Sequence, residues 1–336
     1  MFRFTILYLL FFSFVSCSSK EPITPDKITT HSNQKLFEEE DFFILSALHA
    51  EQVGDFNSSI ELYNKLYTKT ERKEYLYREL FDTIYIGDTQ SVLKRVEHLL
   101  AIDKQNERLI EIKKIALYHL AKLYNKTQNI DGMLSIYLEL YKMNKSKKIA
   151  TKIAQIYSYQ QDYKKLVTFL EHSQIDDKAL LTLYATEQDY TKAYMLAYNI
   201  YVETGDLNYL GQSAIYQYES AIDKNDTKML KHIVEKLTDV VKTEQHEPLP
   251  ALYLNYLGYI LIDHKIDITK GISYIKTALK VEPNSAFYLD SLAWGYYRLG
   301  NCKDAKEIMN QVVQLEGGDN KEVILHINSI DRCLKN

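Results

Sequence analysis

Apolar residues near the carboxyl end of the chain recur with the spacing of one helix face. Two sets, separated by Gly300, each follow the i, i+3, i+4, i+7 pattern: Leu289, Leu292, Ala293 and Tyr296, then Ala305, Ile308, Met309 and Val312. The pattern predicts two amphipathic helices joined by a short glycine turn within residues 284–313.

The segment before this pair repeats the same elements. Its apolar and small positions are Leu254, Leu257, Gly258 and Leu261, followed by Gly271, Ile275, Ala278 and a terminal Pro283. The two segments are 34 residues apart, measured from Gly271 to Ala305 or from Ala278 to Val312.

This period, with small residues where helices approach closely and proline after the second helix, resembles the tetratricopeptide repeat (TPR). The resemblance covers residues 251–315 and implies helix pairs stacked into a right-handed solenoid. The pattern departs from the family at three points. The turn "IDHKIDITK" has one extra residue, Met309 stands where an aromatic residue is usual, and Gly317 stands where proline is usual.

Upstream the repeat is irregular. Residues 42–67 match well, with Gly54, Phe56, Ser59 and Tyr63 at turn and packing positions. Further second helices are predicted to begin near Gly87, Asn129, Gln161 and Gln188. If Ser59, Val92, Leu134, Leu166 and Ala193 are equivalent, the steps are 33, 42, 32 and 27 residues. Residues 206–245 give the weakest pattern.

The predicted fold is therefore all-α: a right-handed TPR-like α-solenoid of antiparallel helix pairs with a C-terminal capping helix. Five prolines and eleven glycines in 336 residues, most of them at ends or turns, agree with it. We expect one elongated domain, because each repeat touches mainly its neighbours. It would comprise irregular repeats over 36–250, two well-matched repeats over 251–315 and a cap over 316–336.

The amino terminus resembles a bacterial lipoprotein signal peptide. Arg3 precedes an apolar run from Phe4 to Val15, which is short for a transmembrane helix, and small residues lead to Cys17. The resemblance implies a signal over residues 1–16, removed before Cys17, and acyl chains such as palmitate on Cys17. The alternative is an ordinary secretory signal with an incidental cysteine.

Residues 17–35 are polar, contain two prolines and are predicted to form a flexible tether after the lipidated cysteine. By resemblance to lipoprotein sorting, Ser18 in place of aspartate favours the outer membrane, with the protein facing the periplasm. Retention at the inner membrane is the alternative.

Charge and motif content argue against several functions. The net charge is −4 and no basic stripe is present, which disfavours a nucleic-acid partner. The nine histidines are scattered, and neither HExxH, CxxC nor a glycine-rich phosphate loop occurs. We expect no catalytic residue, metal, cofactor or small-molecule substrate. Asp263 and His264 are adjacent, and a solvated turn is favoured over an acid–base pair.

Binding to peptide segments of partner proteins is what the TPR resemblance implies, through the exposed face of each first helix. On the last two repeats that concave groove would comprise Asn255, Tyr259, Ile262, Phe287, Asp290, Trp294, Tyr297 and Arg298. Aromatic and arginine side chains dominate interface energetics. Alternatively, Trp294 packs on the neighbouring hairpin. The carboxylate clamp of chaperone-binding TPR domains is not evident.

A disulfide is predicted between Cys302 and Cys333. Helices over 302–315 and 320–333 would each be about 21 Å long, so an antiparallel turn at Gly317–Gly318 returns Cys333 to the level of Cys302. With Cys17 acylated, these are the remaining thiols, and the periplasm is oxidising. The alternative is two unpaired thiols.

These observations favour an outer-membrane-anchored periplasmic scaffold or adaptor that binds envelope proteins. The alternative is an assembly-machinery or pilotin-type TPR lipoprotein, which serves outer-membrane β-barrels or secretins. An envelope enzyme on a helical scaffold is a third hypothesis, but no catalytic constellation supports it.

Overall fold

The computed structural model describes residues 35–242 and 251–335, and these residues form seventeen α-helices and no strand. Their contacts group them into two compact units, one ending at Ile175 and one beginning at Asp176. The single elongated domain expected from the sequence stays a prediction.

The first unit contains eight helices: α1 (Glu40–Val53), α2 (Phe56–Thr70), α3 (Lys73–Tyr85), α4 (Thr89–Ile102), α5 (Glu107–Lys126), α6 (Ile130–Met143), α7 (Lys147–Tyr159) and α8 (Tyr163–Ser173). The second contains nine: α9 (Asp177–Thr186), α10 (Tyr190–Thr204), α11 (Leu207–Ser220), α12 (Thr227–Lys242), α13 (Ala251–Asp263), α14 (Ile268–Val281), α15 (Ala286–Arg298), α16 (Cys302–Glu316) and α17 (Lys321–Cys333).

Within each unit every helix packs on the next one in the chain, which makes a series of helical hairpins. We call the odd-numbered helices A helices and the even-numbered ones B helices. The hairpin of α13 and α14 shows the antiparallel arrangement directly. Gly258 lies against Ile275, and Gly271, four residues earlier on α14, lies against Ile262, four residues later on α13. The predicted all-α fold of TPR-like antiparallel helix pairs is confirmed.

Most hairpins have the same type of cap at the start of the B helix. The residue before the B helix is an Asp or Asn whose side chain accepts a hydrogen bond from a backbone N–H in the first turn, which caps the helix. These caps are Asp55, Asp88, Asn129, Asp162, Asp189, Asp226 and Asp267. In five of these seven hairpins a left-handed residue precedes the cap, as at Gly54 and Gly87, where glycine carries no steric penalty.

Unequal helix lengths cause the irregular period. The caps from Asp55 to Asp189 are 33, 41, 33 and 27 residues apart, because α5 has 20 residues whereas α9 has 10. The predicted equivalence of Leu134 is wrong by one residue. Met133 has the same distance from its cap as Ser59, Val92, Leu166 and Ala193 have from theirs.

Two apolar cores of the second unit position the site. The larger one joins helices α11–α15 around fully buried residues such as Leu237, Leu257 and Ile260. The smaller one joins α15, α16 and α17 through Ala293, Met309 and Ile330. Helix α17 thus caps the last hairpin, as the apolar spacing of Val323, Ile327 and Ile330 predicted.

Candidate functional site

Three of the eight residues predicted for the concave groove are buried. Asn255 and Ile262 are fully enclosed and Asp290 is 7% exposed, so their predicted place on an exposed face is wrong. The physical reason is the close packing of α13 on α15. A Cβ atom on Gly295 would lie only 3.0 Å from Ile262, so the glycine lets the two A helices approach. The amide of Asn255 has no hydrogen-bond partner among the described residues.

The other five predicted residues are half-exposed on one side of α13 and α15. We call the side formed by Tyr259, Phe287, Trp294, Tyr297 and Arg298 the A-helix face. It is the part of the predicted groove that a partner can reach.

Trp294 is the centre of this face and makes contacts on three sides. Its indole nitrogen donates a hydrogen bond to Asp263 Oδ1 at 3.0 Å. Its ring stacks on Tyr297, with centroids 4.8 Å apart, and on His326 of α17, with centroids 4.2 Å apart. The structure therefore gives Trp294 a packing role between α13 and α17 and leaves part of it accessible.

Arg298 extends the same arrangement. Its guanidinium lies 5.2 Å from the Trp294 ring centroid, donates a hydrogen bond to the backbone carbonyl of Asp263, and lies 3.8 Å from the Asp263 carboxylate. A half-exposed cation stacked on tryptophan and held by a carboxylate is a typical interface anchor.

Tyrosines on α13 connect the A-helix face to its neighbours. Tyr259 donates a 2.7 Å hydrogen bond to Glu322 of α17, and the ring of Tyr256 contacts that of Phe287, with centroids 6.0 Å apart. Burial raises the pKa of Tyr259, and the negative charge of Glu322 raises it further. Tyr259 therefore keeps its hydroxyl proton and acts as a hydrogen-bond donor.

The capping helix covers one edge of the A-helix face. His326 is 5% exposed, and its Nδ1 lies 2.9 and 3.0 Å from the two carboxylate oxygens of Asp290. This polar contact explains how the Asp290 carboxylate can be buried, since His326 of α17 supplies a polar partner. Helix α17 thus occupies space that the groove prediction left open.

Asp263 and His264 do not form the solvated turn that the sequence favoured. Both are half-buried. Asp263 accepts a hydrogen bond from the indole of Trp294, and His264 Nε2 lies 3.1 Å from the hydroxyl of Tyr218. Burial lowers the pKa of His264. Each side chain therefore ties α13 to a different A helix.

The structure brings Cys302 and Cys333 together. Their Cα atoms are 5.9 Å apart, within the range that a disulfide spans, and the two sulfurs are bonded. About one helical turn from the disulfide, Lys306 on α16 and Asp331 on α17 form an ion pair, with 2.6 Å between Nζ and Oδ1. The disulfide in the cell remains a proposal.

The first unit contains a second polar cluster, which the sequence did not reveal. Arg78 forms two hydrogen bonds to Glu51, at 3.1 and 2.8 Å. Ser59 Oγ lies 2.5 Å from Asp82, which is 4% exposed. Burial raises the pKa of Asp82 to about 7, although the hydrogen bond with Ser59 opposes the shift. These contacts join α2 to α3 and α1 to α3, a structural role.

Several residues of the site escaped the sequence reasoning. His326 and Glu322 were not predicted, yet His326 shares the apolar stripe of α17 with Val323, Ile327 and Ile330. A polar residue on a buried stripe was the available signal. No comparable signal marked Glu51 or Asp82, because their partners lie more than twenty residues away.

Within residues 35–242 and 251–335, no group of three His, Cys, Asp or Glu side chains could hold a metal ion. In the same residues no helix combines the length and the apolar composition needed to cross a bilayer. Cys17, the signal and most of the predicted tether lie outside the described residues.

Comparisons with known proteins find similar TPR proteins. No family model matches the sequence. The chain is 30% identical over 110 residues to the TPR repeat-containing protein PA4667 of Pseudomonas aeruginosa, a match that covers 31% of this chain and 18% of the relative. The chain thus spans under a fifth of that relative.

Solved structures with similar backbones include TPR proteins. A tetratricopeptide repeat protein from Parabacteroides merdae is 14% identical, with 76% of this chain and 98% of that one covered and a TM-score of 0.32. The C-terminal part of a TPR repeat-containing protein from Cytophaga hutchinsonii is 12% identical, with 74% and 99% covered and a TM-score of 0.38.

Proposed function

We propose that the protein is a lipid-anchored scaffold of the bacterial envelope, held at the outer membrane through Cys17 and binding periplasmic segments of other envelope proteins. The observation that carries the binding function is the A-helix face. It presents aromatic rings and a guanidinium on rigid, mutually packed helices, and pre-organised anchors of this kind lower the entropic cost of binding.

The partner is proposed to be a protein segment because the A-helix face offers aromatic anchors on helices. The relative from Pseudomonas aeruginosa is a TPR repeat-containing protein, and repeats of this kind serve protein–protein interaction. The anchor is supported by the sequence MFRFTILYLLFFSFVSC alone.

The anchor is tested by Cys17→Ala. We expect the variant to move from the membrane to the soluble periplasmic fraction and to lose labelling by fatty-acid analogues. If the Cys17→Ala variant stays in the membrane and the unmodified protein takes up no fatty-acid label, the lipoprotein proposal is contradicted.

The binding function is tested by capture from crosslinked envelopes with the mature protein. Tyr297→Ser should reduce recovery of the partner, whereas Lys231→Ser on the exposed side of α12 should leave it unchanged. Cell-wall enzymes among the partners would support the adaptor, and barrel-assembly subunits or secretins would support the alternative. Equal recovery with both variants would contradict binding through the A-helix face.

A further inference from the structure

The first helix carries an apolar stripe on its exposed side. Phe42, Leu45 and Val53 are 66%, 67% and 62% exposed. Their spacing of three and eight residues places them along one side of α1, because an α-helix repeats every 3.6 residues. The opposite side, with Ala47 and Ala50, is buried in the first hairpin.

The stripe has no hairpin to cover it in the described chain, since α1 is the first helix there. Single exposed apolar residues are ordinary, and Ile102, 77% exposed on α4, is one of them. Phe42 and Leu45 are neighbours on α1, and Val53 lies on the same side about two turns further along, beyond the exposed His49. Three large exposed apolar side chains on one side of a single helix mark an interaction site.

The position of the stripe in the chain indicates what covers it. Phe42 follows Cys17 by 25 residues, so the covalent chain between them spans at most about 90 Å. Helix α1 is therefore the described helix closest along the chain to the proposed lipid anchor. Any membrane that holds Cys17 stays within reach of the stripe.

The charges around the stripe specify the kind of surface. Glu38, Glu39 and Asp41 are exposed at its amino-terminal end, and only Asp41 has a cationic partner there, Lys35 at 2.5 Å. Unpaired carboxylates are repelled by anionic headgroups, so a zwitterionic lipid surface is the matching occupant.

We propose that α1 lies on the membrane surface, with Phe42, Leu45 and Val53 inserted among zwitterionic lipids. The proposal rests on the lipid anchor of the proposed function. Helices with one apolar side bind in the plane of the interface at a depth of 5–10 Å. Docking of α1 fixes the orientation of the first hairpin relative to the membrane, which an anchor alone does not.

The test uses the mature chain from Cys17 onward, with Cys302→Ser and Cys333→Ser, coupled through the Cys17 thiol to maleimide-bearing phosphatidylcholine vesicles. The coupling is chemical, so the result does not depend on lipidation in the cell. A tryptophan is placed in the stripe by Leu45→Trp or, as the matched control, on α4 by Ile102→Trp. Trp294 supplies a constant background, measured in the parent.

Brominated phosphatidylcholine quenches tryptophan that enters the acyl region. We expect at least two-fold quenching of the added fluorescence in Leu45→Trp and none in Ile102→Trp. In a Val53→Trp reporter, the further change Phe42→Glu should abolish quenching. Replacement of a third of the lipid by phosphatidylglycerol should weaken it at low salt.

Equal quenching at positions 45 and 102, or no quenching at position 45, would overturn the proposal. Dimerisation of the vesicle-free protein that Leu45→Glu abolishes would overturn it too, because the stripe would then bind a second copy. If Cys17→Ala stays in the membrane fraction, the proposed lipid anchor is contradicted, but the vesicle measurement remains valid because its coupling is chemical.

Discussion

The indole nitrogen of Trp294 donates a hydrogen bond to the carboxylate of Asp263, 3.0 Å away on the preceding A helix. The same indole stacks on His326 of the capping helix. One side chain thus connects three successive A helices, and the surface proposed to bind partners is also part of the packing of the second unit.

Substitution of Trp294 is therefore expected to lower stability. Trp294→Ala should reduce the free energy of unfolding by about 2 to 4 kcal/mol, since it removes a large half-buried ring. Trp294→Phe keeps most of the ring and loses only the hydrogen bond, a cost of about 1 kcal/mol. Urea unfolding followed by circular dichroism measures both. An unchanged midpoint for Trp294→Ala would show that the indole only faces solvent.

Reduction of the Cys302–Cys333 pair should destabilise the capping helix. The disulfide joins residues 31 positions apart. A disulfide that closes a loop of this length raises the free energy of unfolding by about 3 to 4 kcal/mol in the chain-entropy model. The Cys302→Ser/Cys333→Ser variant should match the reduced parent in thermal unfolding and should not respond to dithiothreitol.

The redox state itself is measured by alkylation of unreduced protein taken directly from cells. We expect neither Cys302 nor Cys333 to be modified until the sample is reduced. Quantitative modification of both before reduction would contradict the disulfide.

The close contact of α13 with α14 makes Gly258 sensitive to any added atom. A Cβ there would lie 2.7 Å from the carbonyl oxygen of Gly271 and 2.6 Å from Ile275. Gly258→Ala should lower the free energy of unfolding by about 1 to 3 kcal/mol through overpacking, despite the better helix propensity of alanine. Ser273→Ala, on the exposed side of α14, is the control and should change stability little. A Gly258→Ala variant that is more stable than the unmodified protein would show that α13 and α14 can move apart without a cost in free energy.

The buried carboxyl of Asp82 should make the first unit less stable as the pH rises. Burial raises the pKa of Asp82 to about 7, so the folded state holds a proton that the unfolded state releases near pH 4. Each pKa unit is worth about 1.4 kcal/mol, so Asp82 lowers the free energy of unfolding by about 3 to 4 kcal/mol between pH 4 and pH 8.

The hydrogen bonds around Asp82 agree with a protonated carboxyl. Ser59 has one hydroxyl proton, and its oxygen lies 3.0 Å from the carbonyl of Phe56 and 2.5 Å from Asp82. A protonated Asp82 donates to Ser59, which then donates to Phe56. Asp82→Asn should remove most of the pH dependence and raise stability at pH 8. If Asp82→Asn loses stability equally steeply as the pH rises, other titratable groups cause the pH dependence.

The sequence predicted the hairpins because one helix face repeats its apolar spacing, and the close approach at Gly258 and Gly271 followed from their small size. The capping helix followed from the apolar spacing of Val323, Ile327 and Ile330, and the proximity of Cys302 to Cys333 followed from the similar lengths of the last two helices. The exposure of the groove did not follow, because the burial of Asn255 and Asp290 depends on α15 and α17, which a single-helix pattern does not describe.

Site-specific photo-crosslinking in intact cells tests the central claim most directly. A photoreactive phenylalanine replaces Tyr297 on the A-helix face or, as the control, Lys231 on α12, whose side chain is 77% exposed. The account predicts a crosslinked envelope protein from position 297, none from position 231, and loss of the product in the Cys17→Ala variant. The same products from both positions, or none from position 297, would contradict it.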